Sequence, residues 1–423
     1  QGSEFTYGKH NGIDMATAEA LCYGLARRYD PFMINNVTGF IGPETHLDNF
    51  EMIWANLQDH FMGKLLGLPM GMAPCFTSHS QITLEGQQMA TQLLTAGGAN
   101  YFMDVALNTD RMLAYFDTSA HDDETLREIY RRTPAPEFLA WAERRGIFSV
   151  DSQGVVSRGP NWGNPRQFCQ SDEELRSLER ATPAAHGFAT AGPRPVNEVA
   201  RRVRRDQALG REAIHAELRV DELMKLANFR VVSTEADSKQ SHLNAPDLGS
   251  RLASDDLQRL APEGDQVQIV VCDGLSADAV HDNLPRLLPV LVDALETHKI
   301  RVGRPLLVRY GRVKLAEPIA VALGAELVVD LLGERPGGDA LAARSLSAYL
   351  VYRPPAMPAP PVQASGSNSR PPFEYTVISN IHDGGLPPVE AGSLIAEKIL
   401  QILAFRAAGN RLESLLERAG LSS

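Results

Sequence analysis

Four segments of the carboxyl-terminal half combine glycine with polar side chains in a way that could hold a large ligand against the backbone. They are 273–276 (DGLS), 311–314 (GRVK), 333–338 (GERPGG) and 379–385 (SNIHDGG). Each follows an apolar run that predicts a strand, and doubly wound sheets bind their ligands beyond the carboxyl ends of the strands. A glycine after a strand is more often only a turn, so no single segment is decisive. The four together predict one ligand site.

The common nucleotide and hydrolase motifs are absent from the sequence. The turn 273–278 (DGLSAD) lacks the GxGxxG spacing, and the chain has neither a Walker loop nor a GxSxG elbow. The histidines do not have metal-ligand spacing, so Ser276 and His79 are expected to be structural. Asn380, His382 and Gly385 nearly match the DxHxxG motif by which some cobalamin enzymes supply a histidine to cobalt. Because Asn stands where Asp is needed, we interpret this stretch as a loop without a metal ligand.

Three positions in the amino-terminal half stand where a barrel enzyme places its ligand-binding groups. They are Phe40 in GFIGPE, Ala73 in LPMGMAPC and Met112 in TDRML. The carboxyl ends of parallel barrel strands carry the active site, which favours a functional role for such positions. Core packing is the alternative for Phe40 and Met112, because both side chains are large and apolar.

Residues 6–148 alternate short apolar runs with amphipathic stretches, which is the pattern of βα units around a parallel sheet. The predicted strands are 32–36, 66–72 and 100–105, and the predicted helices are 47–61, 84–95, 123–130 and 137–145. An eight-stranded barrel takes about 250 residues. Residues 1–150 are therefore expected to form a partial (β/α) TIM-type barrel or a smaller sheet.

The remaining sequence divides into a linker, a helical region and a second α/β domain. Residues 151–170 lose periodicity and gather Gly, Pro and Asn, as a linker does. Ser171 and Glu174 form a capping box that opens a helical region over 171–260, whose four arginines between 201 and 205 are expected on a solvated helix face. Residues 261–423 have the pattern of a doubly wound, Rossmann-like α/β domain. Its predicted strands are 267–272, 306–310, 326–332, 348–352 and 376–379, with a proline-rich loop at 354–372 and a last helix at 389–407.

The composition excludes several classes of protein. The chain has 423 residues, of which 43% are hydrophobic and 22% charged, and a net charge of −11. At roughly 150 residues per domain this length suits about two to four domains, and no apolar run approaches the roughly 18 residues that span a bilayer. The acidic balance makes nucleic acid a poor partner.

Four cysteines without a CxxC pair, and no signal-like amino terminus, predict a cytoplasmic protein. Because it starts at Gln1, the chain is expected to be a processed chain or a fragment.

Several long stretches carry a resemblance to a known family. Residues 1 to about 150 contain QGS, YGLARRYDPF, GFIGPE, DHFMGKLLGLPMG and TAGGANYFMD, and residues 175–423 contain AGPRP, LNAPDLGSRL, SDDLQRL, VCDGLSADAV, VRYGRVK, LLGERPG, SNIHDGG and PPVEAG. The first set resembles the carboxyl-terminal third of the large subunit of ethanolamine ammonia-lyase, and the second resembles nearly the whole small subunit. The chain therefore looks like the last part of a large subunit joined to a small subunit.

The resemblance implies adenosylcobalamin as the cofactor and a set of residues that contact it. In the small-subunit part these are Val313, Glu334 and Val377, the last of which replaces a Cys of the family. In the large-subunit part they are Thr6, where the family has Ser, and Met112.

The substrate side of the resemblance is less complete. Phe40 matches a wall of the family's ethanolamine pocket, but Ala73 stands where the family has an Asp. The Glu of the family's ETGQGS motif would precede Gln1. The resemblance therefore assigns no catalytic residue and no metal ligand to this chain.

The implied function is the adenosylcobalamin-dependent radical deamination of ethanolamine to acetaldehyde and ammonia. The implied partners are the missing large-subunit portion and further copies, in a homo- or hetero-oligomer in the cytoplasm or within a bacterial microcompartment. This chain alone is expected to be inactive. The alternative is a non-catalytic cobalamin-binding or assembly module derived from the lyase. A third possibility, an unrelated nucleotide-binding α/β protein, is disfavoured because the phosphate-binding loops are missing.

Overall fold

The protein is a mixed α/β chain of two compact units, with the boundary between Gly210 and Arg211. The computed structural model describes residues 15–37, 48–77, 80–110, 115–181, 189–334, 336, 344–354 and 373–421. In these ranges, no helix is long and apolar enough to span a membrane.

The first unit alternates helices with short strands. Its helices are α1 (Met15–Tyr29), α2 (Asn49–Leu65), α3 (Leu84–Ala96), α4 (Ala120–Tyr130), α5 (Pro136–Arg144) and α6 (Asp172–Ala181), followed by α7 (Asn197–His215), which runs across the unit boundary. Its strands are β1 (Ile34–Val37), β2 (Met70–Ala73), β3 (Tyr101–Phe102), β4 (Thr109–Asp110), β5 (Tyr115–Phe116), β6 (Phe148–Val150), β7 (Val156–Arg158), β8 (Thr190–Ala191) and β9 (Arg194–Pro195).

The second unit is built on longer strands. Its helices are α8 (Val220–Leu223), α9 (Lys239–Asn244), α10 (Ser254–Arg259), α11 (Ala277–Thr297), α12 (Ala316–Leu323), α13 (Pro388–Phe405) and α14 (Gly409–Arg418). Its strands are β10 (Arg230–Ser233), β11 (Val267–Cys272), β12 (Leu306–Arg309), β13 (Leu327–Gly333), β14 (Leu346–Tyr352) and β15 (Glu374–Ile381).

Strands β1, β2 and β3 form a parallel sheet in that order. Ile34 lies opposite Met70, and Gly71 lies opposite Tyr101, so the carboxyl ends of the three strands share one edge. Gly71 is required by close packing, because a Cβ at this position would lie 1.7 Å from a ring carbon of Tyr101. Each of the three predicted strands of this half overlaps one observed strand, and β1 and β2 each end one residue later than predicted.

Strand β2 begins later than the predicted start at residue 66. Helix α2 continues to Leu65, and the N–H of Leu66 still donates to the carbonyls of Met62 and Gly63 at 3.3 and 3.1 Å. Gly67 then turns the chain with a φ of 78°, a left-handed conformation that glycine adopts readily. The apolar residues 65 and 66 therefore finish a helix instead of opening a strand.

The sequence pattern does not predict helix α1. Its apolar side chains Leu21, Leu25 and Tyr29 are exposed together with Arg27 and Arg28, so the helix lacks the separate polar and apolar faces by which a surface helix is identified.

The segment 151–170 differs from the expected linker. Strand β7 pairs with β6, with Phe148 opposite Arg158, and the rings of Phe148 and Trp162 stack with centroids 5.7 Å apart. Phe148 and Val156 are buried in a small core with Ala142. The Gly, Pro and Asn content of this segment predicts a linker, and composition alone does not indicate these apolar contacts. Arginines 201, 202, 204 and 205 are exposed, which confirms the expected solvated face.

The second unit contains a six-stranded sheet in the order β10-β12-β11-β13-β14-β15. Strands β10, β12, β11 and β13 are parallel, whereas β14 runs antiparallel to both β13 and β15. The five predicted strands are all present. Strand β10 is an addition, because Arg230–Ser233 lies within the region predicted to be helical and has only four residues to signal a strand.

Helices cover both faces of this sheet. Buried side chains of α11 and α13 pack with Val271 and Leu331 on one face, and those of α12 pack with Cys272 and Val328 on the other. The connection from β11 leads to β12 on one side, and the connection from β12 crosses to β13 on the other. The carboxyl ends of β11 and β13 therefore flank the point where the strand order reverses, which is where such sheets bind ligands.

Candidate functional site at the carboxyl edge of the six-stranded sheet

The structure brings the segments after β11, β12 and β13 together at one edge. The N–H of Leu275 donates to the carbonyl of Gly333 at 2.9 Å, and the N–H of Tyr310 donates to Oδ1 of Asp273 at 2.6 Å. Gly274 has a φ of 51°, and a Cβ at this position would lie 2.2 Å from the carbonyl oxygen of Gly333. Two loops that are far apart in sequence thus lie backbone against backbone.

Buried charged side chains lie behind these loops. Asp273 is fully buried, and its Oδ2 is 3.5 Å from the Nζ of Lys239, a side chain that is only 8% exposed. Lys239 also donates to the carbonyl of Gly274 at 3.4 Å. Burial raises the pKa of Asp273, and the ammonium of Lys239 opposes that effect. The pair fixes α9 to the loop that follows β11.

A buried histidine and arginine join the loop after β12 to the same cluster. The Nε2 of His242 is 2.9 Å from the carbonyl oxygen of Gly274, and the guanidinium of Arg312 donates to the carbonyl of His242 at 3.0 Å. Burial lowers the pKa of His242 to about 2, and the charges of Arg312 and Lys239 act in the same direction. His242 is therefore a neutral side chain that accepts or donates hydrogen bonds within the loops.

The three residues expected to contact the cofactor in this unit share one face of the sheet. Val313 packs against the core cluster under α12, and so does Tyr349 of β14. Val377 lies opposite Tyr349 in the β14–β15 ladder and is 48% exposed. Glu334 accepts a 2.6 Å hydrogen bond from the hydroxyl of Tyr349. Cross-strand partners point to the same side of a sheet, so Tyr349 connects Glu334 with Val377, and Val313 packs against the same core cluster as Tyr349.

An unusual carboxyl group lies beneath this face. Asp330, in the middle of β13, is fully buried and lies opposite Tyr349. Burial raises the pKa of Asp330 to about 8, the neighbouring thiol of Cys272 opposes the shift, and the charge of Glu334 reinforces it. Sequence reasoning missed Asp330 because a single Asp in an apolar strand has no motif.

The residues at the end of β15 and just after it form a turn that is held by its own hydrogen bonds. The Nε2 of His382 is 2.8 Å from Oδ1 of Asn380, and its Nδ1 accepts the N–H of Gly384 at 3.0 Å. Asn380 has a φ of 62°, as expected for a turn residue. Both ring nitrogens of His382 thus have partners within the turn.

Ser276, which was expected to be structural, caps α11 by accepting the N–H of Ala279 at 3.2 Å.

In the first unit, the sequence-derived site residues are mostly outside the described residues. Thr6, Phe40, His79 and Met112 all lie there. Ala73 ends β2 and is fully buried. A methyl group at this position offers a ligand no hydrogen bond or charge.

A cavity of about 980 Å³ in the first unit was not indicated by the sequence. Its lining includes Phe102 of β3, the carboxylates of Asp104 and Asp123, and the guanidinium of Arg127. Burial raises the pKa of Asp123 to about 8, and the charge of Asp104 adds to the effect. Asp123 lies in the first turn of α4, where acidic residues are ordinary, so its role in a cavity could not be seen from the sequence.

The second unit is a mixed α/β fold in which glycine-containing loops at the strand ends lie over buried charged side chains, at the edge where α/β sheets bind their ligands. Two family models match the chain. The one described as "Ethanolamine ammonia-lyase light chain (EutC)" matches residues 172–413, and the one described as "Ethanolamine ammonia lyase large subunit (EutB)" matches residues 1–157. The chain belongs to the ethanolamine ammonia-lyase family, whose members are lyases, and it joins a large-subunit region to a small-subunit region.

The similar curated proteins fall into the same two groups. The ethanolamine ammonia-lyase small subunit of Clostridium tetani is 37% identical over 243 residues, which cover 57% of this chain and 77% of that protein. The small subunit of Fusobacterium nucleatum is 35% identical over 244 residues, 57% of this chain and 78% of that protein. The large subunit of Salmonella typhimurium is 44% identical over 149 residues, 35% of this chain but only 33% of that protein. The chain thus spans about a third of the large subunits it matches.

Proposed function

We propose that this chain provides a cobalamin-binding small-subunit face and the last part of the barrel of an adenosylcobalamin-dependent ethanolamine ammonia-lyase. The reaction is the deamination of ethanolamine to acetaldehyde and ammonia, and it needs the rest of a large subunit. The observation that carries the proposal is that Tyr349 links Glu334 to Val377, while Val313 packs against the same core cluster as Tyr349. The domain bounds and the cofactor contacts of Thr6 and Met112 belong to the same proposal.

The residues of this face fit a large corrin ligand. The carboxylate of Glu334 is oriented by Tyr349 and can accept hydrogen bonds from amide side chains at the edge of a corrin. The partly exposed side chains of Val313 and Val377 can make apolar contacts with the ligand. Val377 keeps the apolar contact of the family's Cys but loses any contact that needs a thiol. Adenosylcobalamin supplies radical chemistry when bound, and the protein's task is to orient the ligand and exclude water.

The lack of a carboxylate for the substrate ammonium at Ala73 is why we expect the reaction to need other residues of a large subunit. An ammonium group taken out of water without a carboxylate partner costs several kcal/mol. Ala73 provides no such carboxylate at the end of β2. We expect the carboxylate partners of the substrate to come from the missing large-subunit portion, and the 423-residue chain alone to be inactive.

The cofactor proposal is tested by binding, which does not depend on activity. The visible spectrum of cobalamin is titrated with the full chain, with Val377→Asp and with a matched control, Val389→Asp. Val389 is 50% exposed on α13, which covers the opposite face, whereas Val377 is 48% exposed. Val377→Asp should weaken binding at least about ten-fold, because it introduces a charge into an apolar contact. Equal binding by both variants, or none by the parent chain, would contradict the proposal.

A second candidate function is a non-catalytic cobalamin-binding or assembly module, which the buried methyl group of Ala73 favours. The two are separated by adding the amino-terminal part of a large subunit and measuring acetaldehyde. Acetaldehyde formation that needs both adenosylcobalamin and the added part supports the lyase. Binding of cobalamin without any turnover in that mixture supports the module. A place in the cytoplasm, or in a bacterial microcompartment, is part of the lyase proposal.

A further inference from the structure

A second cavity of the first unit, with a volume of about 490 Å³, lies beside the loop 161–169. Trp162 and Phe168 of this loop line it, together with Leu175 and Leu178 of helix α6. We call this cavity the loop pocket. Its volume lies within the range of roughly 300–1,000 Å³ that is usual for pockets that bind small molecules, and such pockets are lined mostly by apolar and aromatic side chains.

The loop that forms much of this pocket lies between the two family matches. The large-subunit match ends at residue 157, and the small-subunit match begins at residue 172. Membership of the family therefore assigns no role to residues 161–169. What the loop pocket does has to be inferred from its own chemistry.

The aromatic walls of the loop pocket are held in place from behind. The rings of Phe148 and Trp162 stack with centroids 5.7 Å apart, and the guanidinium carbon of Arg158 lies 5.2 Å from the centroid of the Trp162 ring. Trp141 stacks with Phe168 at a centroid distance of 6.3 Å. Because both rings already pack against fixed neighbours, they do not collapse into the space between them. The walls are thus preorganised for a ligand.

The backbone of the loop is fixed as well. The Nδ2 of Asn161 donates to the carbonyl of Arg145 at 2.7 Å, and the Nε2 of Gln167 donates to the carbonyl of Asn161 at 3.1 Å. The N–H of Arg166 donates to Oδ1 of Asn164 at 3.1 Å. These hydrogen bonds join the loop to itself and to the end of helix α5. The shape of the pocket therefore does not depend on a ligand.

Helix α6 lines the loop pocket without filling it. Leu175 and Leu178 are three residues apart, so their side chains lie on the same side of the helix. The structure describes α6 throughout, and none of its residues is buried; Leu178 is 45% exposed. Apolar surface that stays in contact with water gains free energy when it is covered. A ligand in the pocket would cover it.

The polar groups of the loop pocket define the ligand that it suits. Among the described residues that line it, none is Asp, Glu, Lys or Arg. Burial lowers the pKa of the lining residue His121, although the charge of Asp122 opposes the shift. A charged ligand would therefore find no opposite charge on the lining. The buried Oε1 of Gln167 has no hydrogen-bond partner in the part of the chain that the structure describes. An unpaired buried acceptor is unfavourable, and a donor on the ligand would satisfy it.

We propose that the loop pocket binds a small, uncharged and largely apolar molecule that carries one hydrogen-bond donor. The apolar part of the ligand would lie between the rings of Trp162 and Phe168 and cover the leucines of α6, and the donor would bond to Oε1 of Gln167. This inference does not depend on the proposed lyase function.

The first test is the charge and donor preference of the full chain. The probe is N-phenyl-1-naphthylamine, which is uncharged, has one N–H and becomes fluorescent in apolar surroundings. It should bind one molecule per chain. Its sulfonated analogue, 8-anilinonaphthalene-1-sulfonate, should bind at least about ten-fold more weakly, because its charge would be buried without a partner. The N-methyl derivative, which lacks the N–H, should bind about five-fold more weakly, because one hydrogen bond is lost. No binding, or equal affinity for all three compounds, would overturn the proposal.

The second test locates the bound probe. Cys169 lines the loop pocket and is partly exposed, whereas Cys75 and Cys272 are buried. In a Cys22→Ser background, saturating N-phenyl-1-naphthylamine should slow the alkylation of Cys169 by iodoacetamide at least about five-fold, because thiol reactivity requires access. An unchanged rate at saturation would place the probe elsewhere and overturn the proposal.

The third test changes the wall of the pocket. Leu178→Asp should weaken binding of the probe at least about ten-fold, because it places a charge on an apolar wall. The matched control is Leu226→Asp in the second unit, where Leu226 is 41% exposed; it should leave binding unchanged. Circular dichroism compares the helix content of both variants with that of the parent chain. Equal binding by the two variants would contradict the proposal. If Leu178→Asp loses helix, the protection of Cys169 in the otherwise unaltered chain decides.

Discussion

The hydroxyl of Tyr349 donates a 2.6 Å hydrogen bond to Oε1 of Glu334. Tyr349 lies on β14 and Glu334 directly follows β13, so the bond crosses between neighbouring strands. The N–H of Glu334 also donates to the carbonyl of Ser345 at 2.9 Å. The carboxylate is therefore held in one orientation by groups of the sheet itself, as a preorganised binding site requires.

We expect Tyr349→Phe to weaken cobalamin binding about five-fold. The loss corresponds to one hydrogen bond of about 1 kcal/mol, and the ring still packs against the sheet. Spectroscopic titration of the full chain measures it. Tyr130→Phe in helix α4 of the other unit is the control. Identical affinities for the two variants would show that Tyr349 does not orient Glu334 for binding.

The Lys239–Asp273 pair predicts a large loss of stability on removal of one partner. Lys239→Met leaves the fully buried carboxylate of Asp273 without its ammonium, which costs about 3–5 kcal/mol for such pairs. The pKa of Asp273 should rise further, so the loss should shrink in acid, where the carboxyl is protonated. Urea unfolding followed by far-ultraviolet circular dichroism compares this variant with Lys225→Met at an exposed position. A similar small effect in both variants would contradict the prediction.

Asp330 predicts a specific pH dependence of stability. Its pKa is raised from 3.8 to about 8 in the fold. A carboxyl whose folded pKa is raised favours the folded state at low pH, and that contribution is lost as the pH rises through about 8. Asp330→Asn, which stays neutral, should therefore be more stable than the parent chain at about pH 8 and should lose that advantage near pH 4. Hydrogen exchange of the β13 amides at both pH values measures the difference. A constant difference would show that Asp330 does not titrate in this range.

The three-stranded sheet of the first unit should be less protected than the sheet of the second. Residues 32–36 include most of β1 and residues 100–105 include β3, and these two are the edge strands, whereas 267–272 form the fully buried β11 with neighbours on both sides. Unpaired edges open more easily. Hydrogen exchange of the full chain should show faster exchange in the first two segments. Adding the amino-terminal part of a large subunit should slow it. Equal protection without that portion would contradict the view of an unfinished sheet.

Sequence reasoning located strands well where burial was continuous. In β11 and β13 every residue is buried, so the apolar runs at 267–272 and 326–332 indicated them directly. Strand β10 was missed because it is short and at the edge, and α1 because its exposed side mixes apolar and charged residues. The strand-end segments predicted which loops meet at one edge of the sheet, but the buried partners behind these loops could not be predicted. Lys239 and His242 meet the Asp273 loop only through the tertiary fold.

The backbone contact between the loop at Gly274 and the loop at Gly333 also limits how this edge can diversify. A Cβ at Gly274 would collide with the carbonyl of Gly333 at 2.2 Å, and a Cβ at Gly333 would collide with the carbonyl of Ser276 at 2.0 Å. Neither loop can therefore accept a side chain at these positions without displacing the other, so a change in one is viable only with a simultaneous change in its neighbour. Under the proposed function, variation among relatives is therefore expected at Val377, whose side chain is 48% exposed.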